Sequence, residues 1–247
     1  MLAHGGRHYR QGIGHGRDGE AFPSLASARW RADTGAALVQ KWAVPAAWST
    51  ASEFAVGSDG SPYVLGPGNV ILRLDPATGA RLGEFKMPKL DQKVASPRWR
   101  YINVIGDYLI GGADPLWDPE LDPKAKKSSF FTVAQNDNLS ASKHLVVMNR
   151  HTGELLWTAD ARAGFRHNGI CAGGGRLYAI DRLSGTELKR LARKNEVPDT
   201  KARIVAFDLE TGVPAWESED DVFGTWLSYS ERYDILVESG QIGRAHV

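Results

Sequence analysis

The sequence predicts an all-β fold, a β-propeller of four-stranded antiparallel blades with about four blades present, and three observations carry that prediction. A turn motif ending in tryptophan recurs along the chain, its glycines are spaced at about blade length, and strand-like hairpins precede the copies.

The clearest copy runs Ala206-Phe207-Asp208-Leu209-Glu210-Thr211-Gly212-Val213-Pro214-Ala215-Trp216, and a second runs Met148-Asn149-Arg150-His151-Thr152-Gly153-Glu154-Leu155-Leu156-Trp157. Both place tryptophan four residues after glycine. A third copy, Leu74-Asp75-Pro76-Ala77-Thr78-Gly79, keeps the turn but carries Gly83 at the tryptophan position, with Phe85 two residues on. The loosest copy is Trp30-Arg31-Ala32-Asp33-Thr34-Gly35, followed by Trp42. The chemistry of each position is definite. Asp75, Asn149 or Asp208 accepts backbone N–H groups two or three residues on and starts a turn. Thr78, Thr152 or Thr211 follows, and Gly79, Gly153 or Gly212 takes the positive φ that reverses the chain. Trp157 and Trp216 are expected at equivalent places between blades, filling the gap to the next.

The motif glycines lie 44, 74 and 59 residues apart, against roughly 40–50 for propeller repeats. The two longer intervals therefore carry insertions, placed at about 112–143, rich in Asp, Pro, Lys, Ser and Asn, and about 187–202, which is strongly charged. First-half hairpins are predicted around Gly57 to Leu65, Tyr101 to Ile110 and Gly169 to Asp181, and a further blade starts at Trp226 to Val237. The domain spans 1–240. Gln241-Ile242-Gly243-Arg244-Ala245-His246-Val247 reads as a translated sequencing adapter and is expected to be non-native, with the propeller itself an incomplete stretch.

Composition narrows the function. Among 247 residues, Lys plus Arg number 30 and Asp plus Glu 29, so there is no cationic excess to neutralise phosphates, and nucleic acid is not an expected partner. The first ten residues show no signal-peptide core, and apolar runs such as Leu145 to Met148 are strand-sized, so no membrane span is expected. The single cysteine, Cys171, excludes an internal disulfide and a cysteine-based metal cluster.

The pattern Ala/Val-x-Asp/Asn-x-x-Thr-Gly-x-x-x-Trp, matched by Ala206 to Trp216 and closely by Val147 to Trp157, resembles the tryptophan-docking motif of pyrroloquinoline-quinone (PQQ) type eight-bladed propellers. That family includes quinoprotein alcohol dehydrogenases and the propeller lipoprotein of the outer-membrane assembly machinery. The resemblance implies a bacterial protein of the periplasm or another extracytoplasmic compartment. In the dehydrogenases it implies PQQ on the central axis, between a tryptophan face and a disulfide of adjacent cysteines, with calcium or a lanthanide held by Glu, Asn and Asp. Cys171 has no cysteine neighbour, and neither the metal ligands nor a catalytic Asp falls on a matching motif, so catalytic and cofactor residues are left unassigned. The expected function is a non-catalytic binding or assembly scaffold whose ligand or protein partner is open. The alternative is part of a PQQ-dependent dehydrogenase, with PQQ and calcium bound largely by other blades.

Three polar sets remain as candidates. Arg166, His167 and Asn168 stand at a predicted blade entrance, where His167 has the chemistry of a general base or metal ligand but is more simply a hydrogen-bonded structural residue. Asn136, Asp137 and Asn138 have pocket-lining chemistry or are ordinary turn formers. Asp114, Asp118, Glu120 and Asp122 offer calcium-type oxygens, but their spacing matches no calcium loop and the interleaved prolines favour a solvated loop. Gly173-Gly174-Gly175 reads as a hairpin turn rather than a phosphate loop, and Trp226, Tyr229 and Tyr233 as inter-blade core rather than a stacking platform.

Overall fold

A computed structural model describes residues 54–66, 69–90, 97–117 and 137–240. The loosest motif copy, Asn136, the carboxylates Asp118, Glu120 and Asp122, and the tail 241–247 lie outside the described residues.

The strands follow one another as antiparallel meanders. The first meander is β1 (Phe54–Val56), β2 (Pro62–Gly66), β3 (Val70–Leu74) and β4 (Arg81–Lys86). A seven-stranded sheet follows in strict sequence order: β5 (Trp99–Ile105), β6 (Tyr108–Pro115), β7 (Ala141–Asn149), β8 (Leu155–Gly173), β9 (Arg176–Asp181), β10 (Arg203–Asp208) and β11 (Pro214–Ser218). Its order conceals two meanders that share one strand. Leu155 to Asp160 of β8, and Phe165 and Arg166 beyond the bend, pair with β7, whereas Ile170 to Gly173 pairs with β9, with a register shift between Phe165 and Ile170. The outer strand of the second meander thus runs on as the first strand of the third. A hairpin, β12 (Trp226–Ser230) and β13 (Ile235–Ser239), completes the described chain. This succession of meanders, unclosed among the described residues, is the β-propeller arrangement that the repeats predict.

Strand periodicity explains why the meanders stack. Alternate residues of one strand face opposite ways, so both faces of a blade are apolar. Val146 and Met148 of β7 pack toward the first meander with Tyr63, Ile71, Phe85 and Trp99. Leu145 and Val147 of the same strand pack the other way, with Phe165, Leu177, Val205 and Phe207 of the third meander. The third meander repeats the pattern, turning Tyr178, Ile180, Ile204 and Ala206 toward Leu227 of the hairpin. First strands of successive meanders also touch, β1 with β5 and β8 with β12.

The motif turns form as their residues dictate. Asp75 Oδ1 accepts from the Ala77 and Thr78 amides at 2.9 and 2.7 Å, Asn149 Oδ1 from those of His151 and Thr152 at 2.8 and 3.0 Å, and Asp208 Oδ1 from that of Thr211 at 2.8 Å. Gly79, Gly153 and Gly212 have φ of 74°, 76° and 72°, the left-handed region that glycine enters without steric cost. Trp157 pairs with Val147 and Trp216 with Ala206, each residue two before the turn's Asn or Asp, so the two tryptophans occupy equivalent positions. Their burial is unequal, 7% exposure against 38%. Trp157 is covered by the next meander's turn, whereas Trp216 has Tyr178 at 6.0 Å between ring centroids. Gly83 occupies the same register in the first meander, opposite Arg73, and Phe85 takes over the docking from two residues further on the same face. A Cβ on Gly153 would stand 3.7 Å from the Phe85 ring.

The first insertion is shorter than the sequence suggests, and the second, at 182–202, is longer. β6 extends to Pro115 and β7 begins at Ala141, because residues 112–115 and 141–143 continue the ladder. The second insertion opens with a helix, α1 (Gly185–Arg193), where a loop was expected from Glu187. Ser184 Oγ accepts from the Glu187 amide at 3.0 Å, an N-cap, and Leu188 and Leu191 share one helical side.

Candidate functional site at the crossover end

Connections in an antiparallel meander alternate between two ends. One end carries the tight turns: the motif turns and first hairpins, fastened to each other within the third meander where the Leu209 amide donates to the Gly175 carbonyl at 3.0 Å. An ion pair of Arg150 with Asp59 at 3.0 Å ties the same end of the first two meanders. Burial would raise the Asp59 carboxyl, but the Ser61 amide and the Arg150 guanidinium outweigh it and hold it at about 2. The opposite end carries both insertions and the crossovers between meanders. It gathers most of the polar residues that the sequence singles out.

The β8 crossover is built around Asp181, the last residue of β9 and fully buried. Its carboxylate accepts the backbone amides of Arg162, Ala163 and Gly164 at 2.7, 2.9 and 2.8 Å. Three N–H groups that leave the ladder at the bend are thereby satisfied, as buried amides require. Arg203, on the neighbouring β10, neutralises the carboxylate at 3.0 Å and reaches Glu217 at 2.6 Å. Arg162 bonds Glu217 at 2.7 Å, and these two arginines hold the Glu217 carboxyl below its usual range.

Immediately beyond the bend stand the three candidates of the blade entrance. Arg166 is buried, donates to the Asp137 carbonyl, and lies 3.5 Å from Asn138 Oδ1 and 4.0 Å from the Asp137 carboxylate. Burial pulls its guanidinium down to about 10, with Asp137 opposing the shift. Asp137 Oδ2 accepts the Gly185 amide at 2.7 Å, an anion at the N-terminus of α1. One carboxylate therefore ties the first insertion to the second.

His167 points into the interior. Its Nε2 is 2.8 Å from Ser142 Oγ, and its ring lies 5.5 Å from that of Tyr101. Burial lowers its pKa to about 3, reinforced by the positive charges of Arg166 and Arg100, so the imidazole is neutral at neutral pH. Asn168 is half-buried on the same strand. The structure thus brings together Arg166, Asp137 and Asn138, and sets His167 apart with Ser142.

Other candidates resolve into local roles. Asp114 pairs with Lys143 at 3.0 Å. Gly174 and Gly175 have φ of 57° and 72° in the β8–β9 hairpin turn. Tyr229 stacks on Tyr178 at 5.5 Å within the third core, while Tyr233 is exposed. Cys171 is buried, and desolvation pushes its thiol up to about 12. Sequence reasoning missed Asp181, Ser142 and the Asp59–Arg150 pair, whose partners lie 17 or more residues away and leave no local spacing. It also missed α1, for which Ser184-Gly185-Thr186-Glu187, a capping-box pattern, was a usable signal.

Among the described residues, no three His, Cys, Asp or Glu side chains gather to hold a metal, and no helix is long and apolar enough to cross a membrane. Comparison with curated proteins returns no match. Solved structures similar to the chain include the computationally designed Ika8 protein, with 12% identity and a TM-score of 0.45, covering 76% of this chain and 42% of that one. The quinohemoprotein alcohol dehydrogenase ADHIIG from Pseudomonas putida HK5 has 17% identity and a TM-score of 0.37, over 64% of this chain and 19% of that one. The enzyme of the same description from Comamonas testosteroni has 15% identity and a TM-score of 0.41, over 68% and 27%. The chain therefore spans less than half the length of each of these three. The profile described as outer membrane protein assembly factor BamB matches residues 67–228. With well over half of its residues covered by that match, the chain belongs to this family of PQQ-like repeat proteins.

Proposed function

We propose that this chain is a non-catalytic repeat scaffold, a platform for binding or assembly, working in an extracytoplasmic compartment. The observation that carries the reading is His167. The one side chain with general-base chemistry at the blade entrance is buried, neutral and bonded to Ser142, and it stabilises the blade rather than meeting a substrate. Its neighbour Arg166 is committed to Asp137 and Asn138 of the first insertion. The family supports the same reading, since its description is that of an assembly factor.

The residues described do not fit PQQ with calcium as the quinoprotein dehydrogenases bind them. Cys171 is solitary and buried, and Asp114, Asp181 and Asp137 are committed to lysine, arginine and a backbone amide respectively. The test is an absorbance titration of the chain with PQQ in the presence of calcium. No saturable binding at micromolar PQQ is expected, and a saturable, calcium-dependent transition would overturn the scaffold reading in favour of a dehydrogenase.

A further inference from the structure

At the crossover end, a groove of about 820 Å³ runs between the second insertion and the segment joining β11 to β12. Leu188, Val197 and Pro198 stand on one wall, Val222 and Phe223 on the other. Val197 is 87% exposed and Phe223 62%, although both belong to segments with defined anchors. Arg182 donates to the carbonyls of Phe223 and Gly224 at 3.1 and 2.9 Å, and the chain leading into Val197 is tied back to α1 where the Glu196 amide donates to the Leu191 carbonyl at 3.0 Å. Exposed apolar side chains on a fixed frame mark an interaction surface more strongly than the same residues on a loose tail.

The charge along the lip identifies the occupant. Residues 217–221 read Glu-Ser-Glu-Asp-Asp. Glu217 is neutralised by Arg162 and Arg203, and Glu219 by Arg162 at 3.1 Å and loosely by Lys201 at 3.8 Å. Asp220 and Asp221, both exposed, have no ion-pair partner among the described residues. The groove is thus bordered by the uncompensated carboxylate of Asp221, with Asp220 next to it in the chain, while Lys201 on the insertion side faces Glu219 at 3.8 Å. An acidic or purely apolar segment would leave the two aspartates desolvated or repelled, whereas lysine or arginine would pair with them.

We propose that this groove docks a polypeptide segment of a partner protein carrying an aliphatic or aromatic anchor flanked by Lys or Arg. The anchor seats between Val197 and Phe223, and the flanking cations meet Asp220 and Asp221. The proposal rests on the scaffold reading and gives it a surface.

The test uses two fluorescein-labelled peptides with the same Leu-Phe-Leu centre, one flanked by Lys and Arg and one by Glu, with fluorescence anisotropy as the readout. The basic probe is expected to saturate and the acidic probe not to bind. Val197→Asp or Phe223→Ser weakens the basic probe by about tenfold or more. Asp220→Lys combined with Asp221→Lys does the same and removes its salt dependence. All four positions are exposed, and unchanged thermal melts verify that the variants fold. Equal binding of both probes, or binding of the basic probe that the variants leave unaltered, overturns the groove assignment. The scaffold reading fails separately, by the PQQ titration, so the two failures are distinguishable.

Discussion

The indole Nε1 of Trp157 donates to the carbonyl of Leu209 at 2.9 Å, joining the outer strand of one meander to the motif turn of the next. The same ring lies flat over Gly212, where a Cβ would stand 2.5 Å from it. Glycine is thus required twice at this position, for its φ of 72° and for the space the tryptophan occupies. Gly175 has the same φ but open space around it. Gly175→Ala is therefore expected to cost about 1–2 kcal/mol from backbone strain alone. Gly212→Ala should cost more, and Trp157→Ala about 3–5 kcal/mol. Urea denaturation of the three variants gives the order directly, and equal losses for the two glycines would show that the ring does not pack as described.

His167 predicts a pH dependence. Its folded pKa of about 3 lies below the value near 6.5 of an unfolded histidine. The unfolded chain therefore binds a proton that the folded chain refuses, and stability falls as pH drops from about 6.5 towards 3, by at most about 1.4 kcal/mol per unit. Above that window the residue contributes no pH dependence. Urea midpoints of wild type and His167→Asn between about pH 7.5 and 4.5 should converge as the solution is acidified. A constant gap would mean that the folded imidazole takes up its proton as the unfolded one does, and that burial does not depress its pKa.

Asp181 is the third case. Asp181→Asn keeps the shape but leaves the buried Arg203 with only the exposed Glu217 as charge partner and weakens three amide bonds, with an expected loss of about 3 kcal/mol. Glu217→Gln alters an exposed member of the same network and should cost about 1 kcal/mol or less. Thermal melts decide between them, and similar losses would remove Asp181 from its position as the centre of the crossover.

Much of this fold was legible in the sequence because its determinants are local. Asp208, Thr211 and Gly212 lie within five residues, and the turn they form needs nothing from elsewhere. Phe85 was noted as the aromatic nearest the missing tryptophan, and its docking follows from strand alternation. The candidate site was legible only in part. Arg166 and Asp137 were both singled out, but their juxtaposition depends on the path of an insertion and carries no spacing signature. The helix was hidden by its charge, which reads as a solvated loop until the Ser184 cap is recognised.

The continuity of β8 bears on the order in which the protein is made. A chain synthesised from its N-terminus has β5, β6 and β7 available before β8 appears, so the first half of β8 finds its partner at once. The last part, from Ile170 to Gly173, is paired only after β9 has emerged and buried once β10 follows. Until then Ile170 and Cys171, both buried in the finished fold, are a bare apolar strand tethered to a completed sheet. The segment that locks two blades together is therefore the one most open to wrong pairing while the nascent chain is still growing.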